Sequence, residues 1–215
     1  MKGLILKDLY LWKRYARIYT LYLLVFGAVG AYSGMASFFV SMTSVILLTL
    51  PLSAWNYDQY NKWDRAALAG PVSRRQLVQA KYLLTLLLMT TILVLNFLFN
   101  LVMMAFHPQL EAGELLTTTL SGVLPVGFVS FLSFPFIIRF GVEKGRMVMI
   151  LSCLLVAGIL VLGFGGLSAA NGGLSNIPDS TFLFWLFAVG LPLLALLAAI
   201  SYFLSLRFYE AREVC

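Results

Sequence analysis

Charged residues are scarce in this chain of 215 residues, because Lys, Arg, Asp and Glu together make up only 11% of it. A soluble globular domain usually contains about 25% charged residues. Hydrophobic residues make up 61% of the chain, and its mean hydropathy is +0.92. A soluble core of this size could not bury so much apolar surface. The composition therefore excludes a soluble protein and predicts an integral membrane protein.

The residue types that carry most enzyme chemistry are also rare. The single histidine, His107, excludes a metal site built on two histidines and makes a Ser-His catalytic arrangement a poor explanation. The two cysteines, Cys153 and Cys215, are not expected to pair and are interpreted as inert. The sequence has no G-x-x-x-x-G-K-[ST] phosphate loop, so the chain is not expected to bind ATP in that way. These absences predict a non-enzymatic protein with no metal, no cofactor of its own and no nucleic-acid partner.

Long uncharged runs are what the chain has instead. The 40 residues between Arg17 and Asp58 carry no charge, and as helix they would extend about 60 Å at about 1.5 Å per residue. That length crosses a hydrocarbon core of about 30 Å twice, with Ser33 and Gly34 as the expected hairpin. The stretches 82–138 and 147–206, in which Glu111, Glu114 and Asp179 are the only charged residues, are interpreted as two further pairs of spans. The sequence thus predicts an all-α, polytopic membrane protein with helices at 17–33, 36–56, 82–106, 115–138, 147–167 and 181–206.

Basic residues lie on one side of this six-span arrangement. All 15 Lys and Arg fall before the first span, between the second and third spans (57–81), in a loop at 139–146, or in the tail at 207–215. The opposite loops contain only acidic side chains and the histidine: His107, Glu111, Glu114 and Asp179. The positive-inside rule then places both termini in the cytoplasm.

Residues 2–17 are predicted to form an amphipathic helix at the membrane interface. At about 100° per residue, its five basic side chains share one arc and its apolar side chains the other. The bases would face anionic headgroups, so membrane lipids are an expected partner. Asp8 falls on the apolar side. It is either an acid tolerated near the start of a helix or part of a salt bridge to another cytoplasmic segment.

The polar segment between the second and third spans contains clear helix signals. Pro71 is expected to end a short cytoplasmic helix that precedes it. Ser73 and Gln76 have the S-x-x-Q spacing of a capping box, which predicts that the next helix begins at about Arg74. The segment is therefore interpreted as a short helix followed by a sharp corner, and the corner leads into the third span.

Two polar features leave alternatives open. Trp63 lies outside every predicted span, so its segment is either a solvated connector or a docking surface for a cytoplasmic partner. Asn96 and Asn100 lie one turn apart in the third span and are expected to hydrogen-bond between helices rather than to contact a solute. Between their ends the predicted spans contain no Asp, Glu, His, Lys or Arg. Ion-coupled transporters usually keep such groups in the membrane, so that class is disfavoured.

Three stretches resemble a known family: "MKGLILKDLYLWK" at the start, "NKWDRAALAGPVSRRQLVQAKY" after the second span and "RFGVEKGRMVMI" after the fourth. They are similar to the sequence patterns of small six-span type-2 ABC transporter permeases of bacteria. This family includes bacitracin-resistance and modulin-exporter membrane subunits. The resemblance covers the whole chain, because the number of spans and the placement of loops agree.

The resemblance implies a permease subunit of an ATP-driven exporter in the bacterial cell membrane. The cargo would be a hydrophobic or amphipathic solute, such as a peptide, an antibiotic or a lipid-like molecule. A second permease, identical or related, and separate ATPase subunits carrying ATP and Mg²⁺ are the implied partners. The alternative class is a membrane sensor or immunity protein that docks a cytoplasmic regulator through the same loops.

The resemblance also implies which residues contact the ATPase. The segment after the second span would be the coupling helix, which docks into the ATPase and transmits its movement. The loop after the fourth span would add a smaller contact. The implicated positions are Asn61, Lys62, Trp63, Asp64, Arg65, Pro71, Ser73 and Arg74 in the first segment, and Gly141, Glu143, Lys144 and Gly145 in the second.

The predicted topology can be tested by thiol labelling. The variant Gln109→Cys is expected to react with a membrane-impermeant thiol reagent added to intact cells, because 107–114 would lie outside. Gln59→Cys is expected to react only after permeabilisation, because Gln59 would lie in the cytoplasm. Labelling is measured by mass-tagging in a background without the two native cysteines. Reaction of Gln59→Cys in intact cells would contradict the six-span topology.

Overall fold

The computed structural model describes residues 2–70, 72–106, 112–171 and 183–211. Within these ranges the chain is helical and contains no strand. The helices are α1 (Lys2–Ser33), α2 (Ala36–Tyr60), α3 (Trp63–Leu68), α4 (Arg74–Phe106), α5 (Ala112–Phe140), α6 (Val142–Asn171) and α7 (Leu183–Glu210). Six of them, all except α3, are long and apolar enough to cross a membrane. The predicted all-α fold with six spans is confirmed. The residues predicted for both outer loops lie mainly outside the described ranges, as do Pro71 and the end of the tail.

The first helix is continuous from the amphipathic segment into the first span. α1 has 32 residues, and the boundary expected near residue 17 is not present in it. No glycine or proline occurs between Gly3 and Gly27, so the sequence offers no residue that would end the helix. The chain then reverses at Gly34, where a φ of +67° requires a residue without a side chain. The hairpin expected at Ser33 and Gly34 is therefore observed.

The helices are longer than a membrane requires. α4 has 33 residues, which extend about 50 Å at about 1.5 Å per residue, whereas the hydrocarbon core is about 30 Å thick. α2 runs to Tyr60 and α4 begins at Arg74. Nearly half of the predicted segment 57–81, residues 57–60 and 74–81, therefore belongs to the ends of two spanning helices, with α3 between them.

The fifth helix of the chain, α5, is the centre of the bundle. It packs against α2, α4, α6 and α7, and α1 packs on the outer side of α2 and α4. Gly27 and Gly30 of α1 lie against the stacked rings of Phe39 and Phe99, whose centroids are 3.9 Å apart. Small residues here allow close approach of the helices. The most deeply buried side chains lie mainly between α2, α4 and α5: Val40, Leu47, Val78, Met103, Val123, Phe131, Ile137 and Ile138.

Two buried asparagines of α4 connect it to its neighbours by hydrogen bonds. Thr43 Oγ1 of α2 donates to Asn96 Oδ1 at 2.6 Å. Asn100 Nδ2 donates to Thr119 Oγ1 of α5 at 3.0 Å. Hydrogen bonds of this kind contribute about 0.6 kcal/mol on average in membrane proteins. Their geometry favours the interhelical interpretation of both asparagines over contact with a solute.

The turn between α5 and α6, predicted to be the second cytoplasmic turn, is far shorter than the expected loop at 139–146. α5 ends at Phe140 and α6 begins at Val142, so Gly141 alone lies between them. Its φ of +85° is left-handed, which glycine adopts without steric cost, and its N–H donates to the carbonyl of Ile137 at 2.9 Å. The expectation of an eight-residue loop is therefore corrected. The charged residues correctly indicated where the chain turns, but a single glycine forms the turn.

A glycine near this turn provides a test of the packing between α5 and α6. A Cβ atom at Gly145 would lie 2.6 Å from Ile137 Cγ1 and 3.2 Å from Ile137 Cα. Gly145→Ala is therefore expected to lower the free energy of unfolding by about 1–3 kcal/mol, because the backbones must move apart. The readout is the thermal unfolding midpoint in detergent.

The matched control is Gly158→Ala in the same helix. Among the described residues, no neighbouring atom lies within 4 Å of a Cβ placed there. This variant is expected to be neutral or slightly stabilising, because alanine favours helix over glycine. Equal unfolding midpoints for the two variants would contradict the close approach at Gly145.

Candidate coupling site

The short helix α3 lies where the ends of α1, α2 and α4 meet. The backbone N–H and the Nδ2 of Asn61 both donate to the carbonyl of Tyr57, at 3.1 and 2.9 Å, so Asn61 caps the end of α2. Lys62 has a φ of +50°, and the chain reverses direction there. α3 contains only six residues. It is short because α2 continues through residues 57–60.

The corner between α3 and α4 is fixed by a reciprocal capping box. The N–H of Ser73 donates to Gln76 Oε1 at 3.1 Å, and the N–H of Gln76 donates to Ser73 Oγ at 3.3 Å. α4 begins at Arg74, as the spacing of these residues predicts. Arg74 Nη1 also donates to the carbonyl of Glu210 at 2.8 Å. The beginning of α4 is thus connected to the end of α7.

Four charged side chains beside α3 form a closed ring of alternating sign. Lys7 Nζ lies 3.1 Å from Asp8 Oδ1 and 2.5 Å from Asp58 Oδ1. Lys81 Nζ lies 2.8 Å from Asp8 Oδ2 and 2.5 Å from Asp58 Oδ2. The Asp8 and Asp58 side chains are only 2% and 5% exposed. This charge ring (Lys7, Asp8, Asp58 and Lys81) joins α1, α2 and α4.

The charge ring resolves one alternative and adds two residues that the sequence did not single out. The salt-bridge interpretation of Asp8 is confirmed by its contact with Lys81 of α4. Asp58 and Lys81 marked only the ends of uncharged runs in the sequence. In the sequence, Asp8 was the one indication that such a cluster exists, because an acid on an apolar helix face needs a basic partner when it is buried. Sequence spacing alone does not identify that partner.

Trp63 packs against the protein's own charge ring. Lys7 Nζ lies 4.8 Å from the centroid of the Trp63 ring, within the range of a cation–π contact. The Trp63 side chain is half-buried, and its Nε1 atom is enclosed. Tyr60, in contrast, is 87% exposed at the end of α2. Trp63 therefore holds α3 against the bundle, and Tyr60 is the large aromatic side chain that faces outward.

The turn between α5 and α6 contacts the end of α2. Gln59 Oε1 accepts a hydrogen bond from the backbone N–H of Val142 at 2.9 Å. This N–H belongs to the first turn of α6, where backbone donors have no partner inside the helix. A Cβ atom at Gly141 would lie 3.5 Å from the Gln59 amide. Gln59 therefore holds the two predicted coupling segments together through one side chain.

A family model matches almost the whole chain. The chain matches the model described as ABC-2 family transporter protein over residues 3–210. The chain belongs to this family. It is a multi-pass membrane protein and the permease subunit of an ABC transporter, which works with a separate ABC ATPase subunit. No curated protein and no solved structure matches the chain.

The sequence-predicted coupling residues of this ABC-2 permease have different structural surroundings. Some hold the two corners in place: Ser73, Arg74, Gly141 and Gly145. Others are exposed on the surface: Asn61, Lys62, Glu143 and Lys144. Trp63 belongs to neither set, because its side chain is half-buried. The side chains of Asp64 and Arg65, and all of Pro71, lie outside the described part of the chain.

The contact between the two corners of the permease can be tested at Gln59. Gln59→Leu is expected to destabilise the start of α6 by about 1 kcal/mol, as the loss of a helix cap does. Gln59→Glu keeps an oxygen acceptor near the start of the helix and is expected to preserve the contact. The readout is amide hydrogen exchange of residues 142–146. Equal exchange in Gln59→Leu and the wild type would show that the hydrogen bond does not hold this turn.

Proposed function

We propose that this permease exports a hydrophobic or amphipathic solute, such as a peptide, an antibiotic or a lipid-like molecule, using ATP hydrolysed by its partner. The observation that carries the proposal is the attachment of α3 to the ends of α1, α2 and α4 through the charge ring. Movement of α3 would therefore reach three spanning helices at once. The spans contain no acidic or basic side chains between their ends, which supports an apolar or amphipathic cargo.

The proposed ATPase contact is the exposed surface around α3 and the second turn. Tyr60, Asn61 and Lys62 lie on one side of it, and Glu143 and Lys144 lie on the other. Gln59 connects the two sides, so a single partner surface could contact both. ATP and Mg²⁺ would be held by the partner, because the chain lacks a phosphate loop of its own.

The proposed setting is the cytoplasmic membrane of a bacterium, with both termini in the cytoplasm. The exposed bases Lys13, Arg14 and Arg17 of α1 would lie near lipid headgroups. α6 and α7 leave broad apolar faces uncovered, with Leu162 78% and Phe203 68% exposed. These faces suit lipid and a second permease, identical or related, in a complex with two ATPase subunits.

The proposed function is tested by affinity purification in mild detergent. A cassette ATPase is expected to co-purify, and the complex is expected to hydrolyse ATP. Reconstituted vesicles then report transport of candidate amphipathic peptides or lipids. Recovery of the permease without an ATPase, or with a sensor kinase in its place, would overturn the proposal.

The docking surface can be tested with two exposed tyrosines at opposite ends of the bundle. Tyr60→Ala is expected to weaken ATPase binding by about 2 kcal/mol, or roughly 30-fold, as truncation of an interface aromatic does. Tyr32→Ala is the matched control. Tyr32 is 96% exposed, and it lies near the end of α1 that is far from the charge ring. The measurement is the affinity of each purified permease for the ATPase.

Trp63→Ala separates docking from attachment of α3. Because Trp63 packs on Lys7, this variant is expected to retain more ATPase binding than Tyr60→Ala while lowering ATP hydrolysis by the complex. The assignment of the docking surface would be wrong if Tyr60→Ala bound the ATPase as tightly as Tyr32→Ala.

A further inference from the structure

The charge ring joins three helices through contacts that no single ion pair could supply. Each acid touches both bases, and each base touches both acids. Asp8 and Lys7 belong to α1, Asp58 belongs to α2 and Lys81 belongs to α4. If α2 or α4 moved away alone, it would leave a surplus charge in the ring, which is strongly unfavourable. If α1 moved away, Asp58 and Lys81 would keep each other but lose their contacts with Lys7 and Asp8.

The surroundings of the ring strengthen this constraint. The ring borders a small cavity with apolar walls that include Leu4, Trp55, Leu77 and Val78. Lys81 Nζ also lies 5.6 Å from the centroid of the Trp55 ring. Charges in such a poorly solvated place interact more strongly than charges on an exposed surface. The three helix ends are therefore held together more firmly than surface ion pairs would hold them.

The short helix α3 contacts this ring through the side chain of Trp63. Trp63 is the first residue of α3, and Lys7 lies over its ring at 4.8 Å. On either side of α3 the chain turns, at Lys62 and at Gly70. A displacement of α3 would therefore act on the ring through the contact between Trp63 and Lys7.

We propose that the charge ring is the joint that transmits movement of α3 to the spanning helices. Asp58 and Lys81 are then positioning residues, because they act on α2 and α4 through the ring. The inference deepens the proposed function and rests on it, since movement of α3 would come from the ATPase. The ring acts by keeping the ends of α1, α2 and α4 in one rigid group while that group moves.

Two double variants remove the joint without leaving a surplus charge. Asp58→Asn/Lys81→Met leaves Lys7 and Asp8, which are both on α1, so no charge contact of the ring joins two helices. Lys7→Met/Asp8→Asn leaves Asp58 and Lys81 and separates α1 and Trp63 from the ring. Replacing both partners of a buried pair is tolerated far better than replacing one. Both variants are therefore expected to fold and to bind the ATPase.

The readout is the movement at the opposite end of the bundle. Spin labels at Tyr32→Cys of α1 and Phe106→Cys of α4 occupy exposed positions there, in a background without the native cysteines. Their separation is measured by pulsed electron paramagnetic resonance in the permease–ATPase complex in lipid nanodiscs. Each complex is measured without nucleotide and after trapping with ATP, Mg²⁺ and vanadate.

The wild type and the control Lys13→Met, which removes an exposed base of α1, are expected to show a change of separation on trapping. Both double variants are expected to lose this change while their complexes still bind and hydrolyse ATP. Retention of the wild-type change in Asp58→Asn/Lys81→Met would overturn the inference. If that variant is not recovered, the same criterion applies to Lys7→Met/Asp8→Asn.

Failure of the proposed function gives a different result. In that case no ATPase co-purifies with the wild-type chain, and the inference about the ring falls with it. A wild-type complex that hydrolyses ATP without any change at Tyr32 and Phe106 would leave the permease assignment intact and overturn the joint.

Discussion

The arrangement of the helix ends around the charge ring depends on one physical requirement: a charge removed from water needs opposite charge beside it. Taken as whole residues, Asp8 is 1% exposed and Asp58 is 4% exposed. Each of these buried carboxylates is flanked by two lysines, which compensate its removal from water. The ends of α1, α2 and α4 therefore have to meet at one place. The position of α3 follows, because Trp63 lies on one of these lysines.

The bundle uses different interactions at different depths. Ionic contacts occur at the end that carries the basic residues, whereas the spans are joined by neutral hydrogen bonds and aromatic packing. The Tyr82 hydroxyl lies 2.5 Å from Ser201 Oγ and 2.8 Å from Ser205 Oγ, and Ser201 Oγ donates to the carbonyl of Phe131. Together with the asparagine contacts of α4, this network connects α2, α4, α5 and α7. The division agrees with the high cost of placing charge in the middle of a bilayer.

Local signals in the sequence were sufficient for the spans, the hairpin at Gly34 and the capping box at Ser73. These features depend on residues a few positions apart. The charge ring and the contact of Gln59 could not be predicted, because they join residues 51, 73 and 83 positions apart. The orientation of Trp63 was missed for the same reason. The length of the second turn was missed because composition does not give the backbone angle that one glycine adopts.

The composition of the charge ring has a consequence for the energetics of transport. Two acids and two bases give the ring no net charge. A charge that crosses part of the membrane potential gains or loses about 2.3 kcal/mol for each 100 mV that it crosses. When the ring moves as one body, its positive and negative contributions cancel. In the proposed mechanism the membrane potential would therefore neither assist nor oppose the movement of the ring itself.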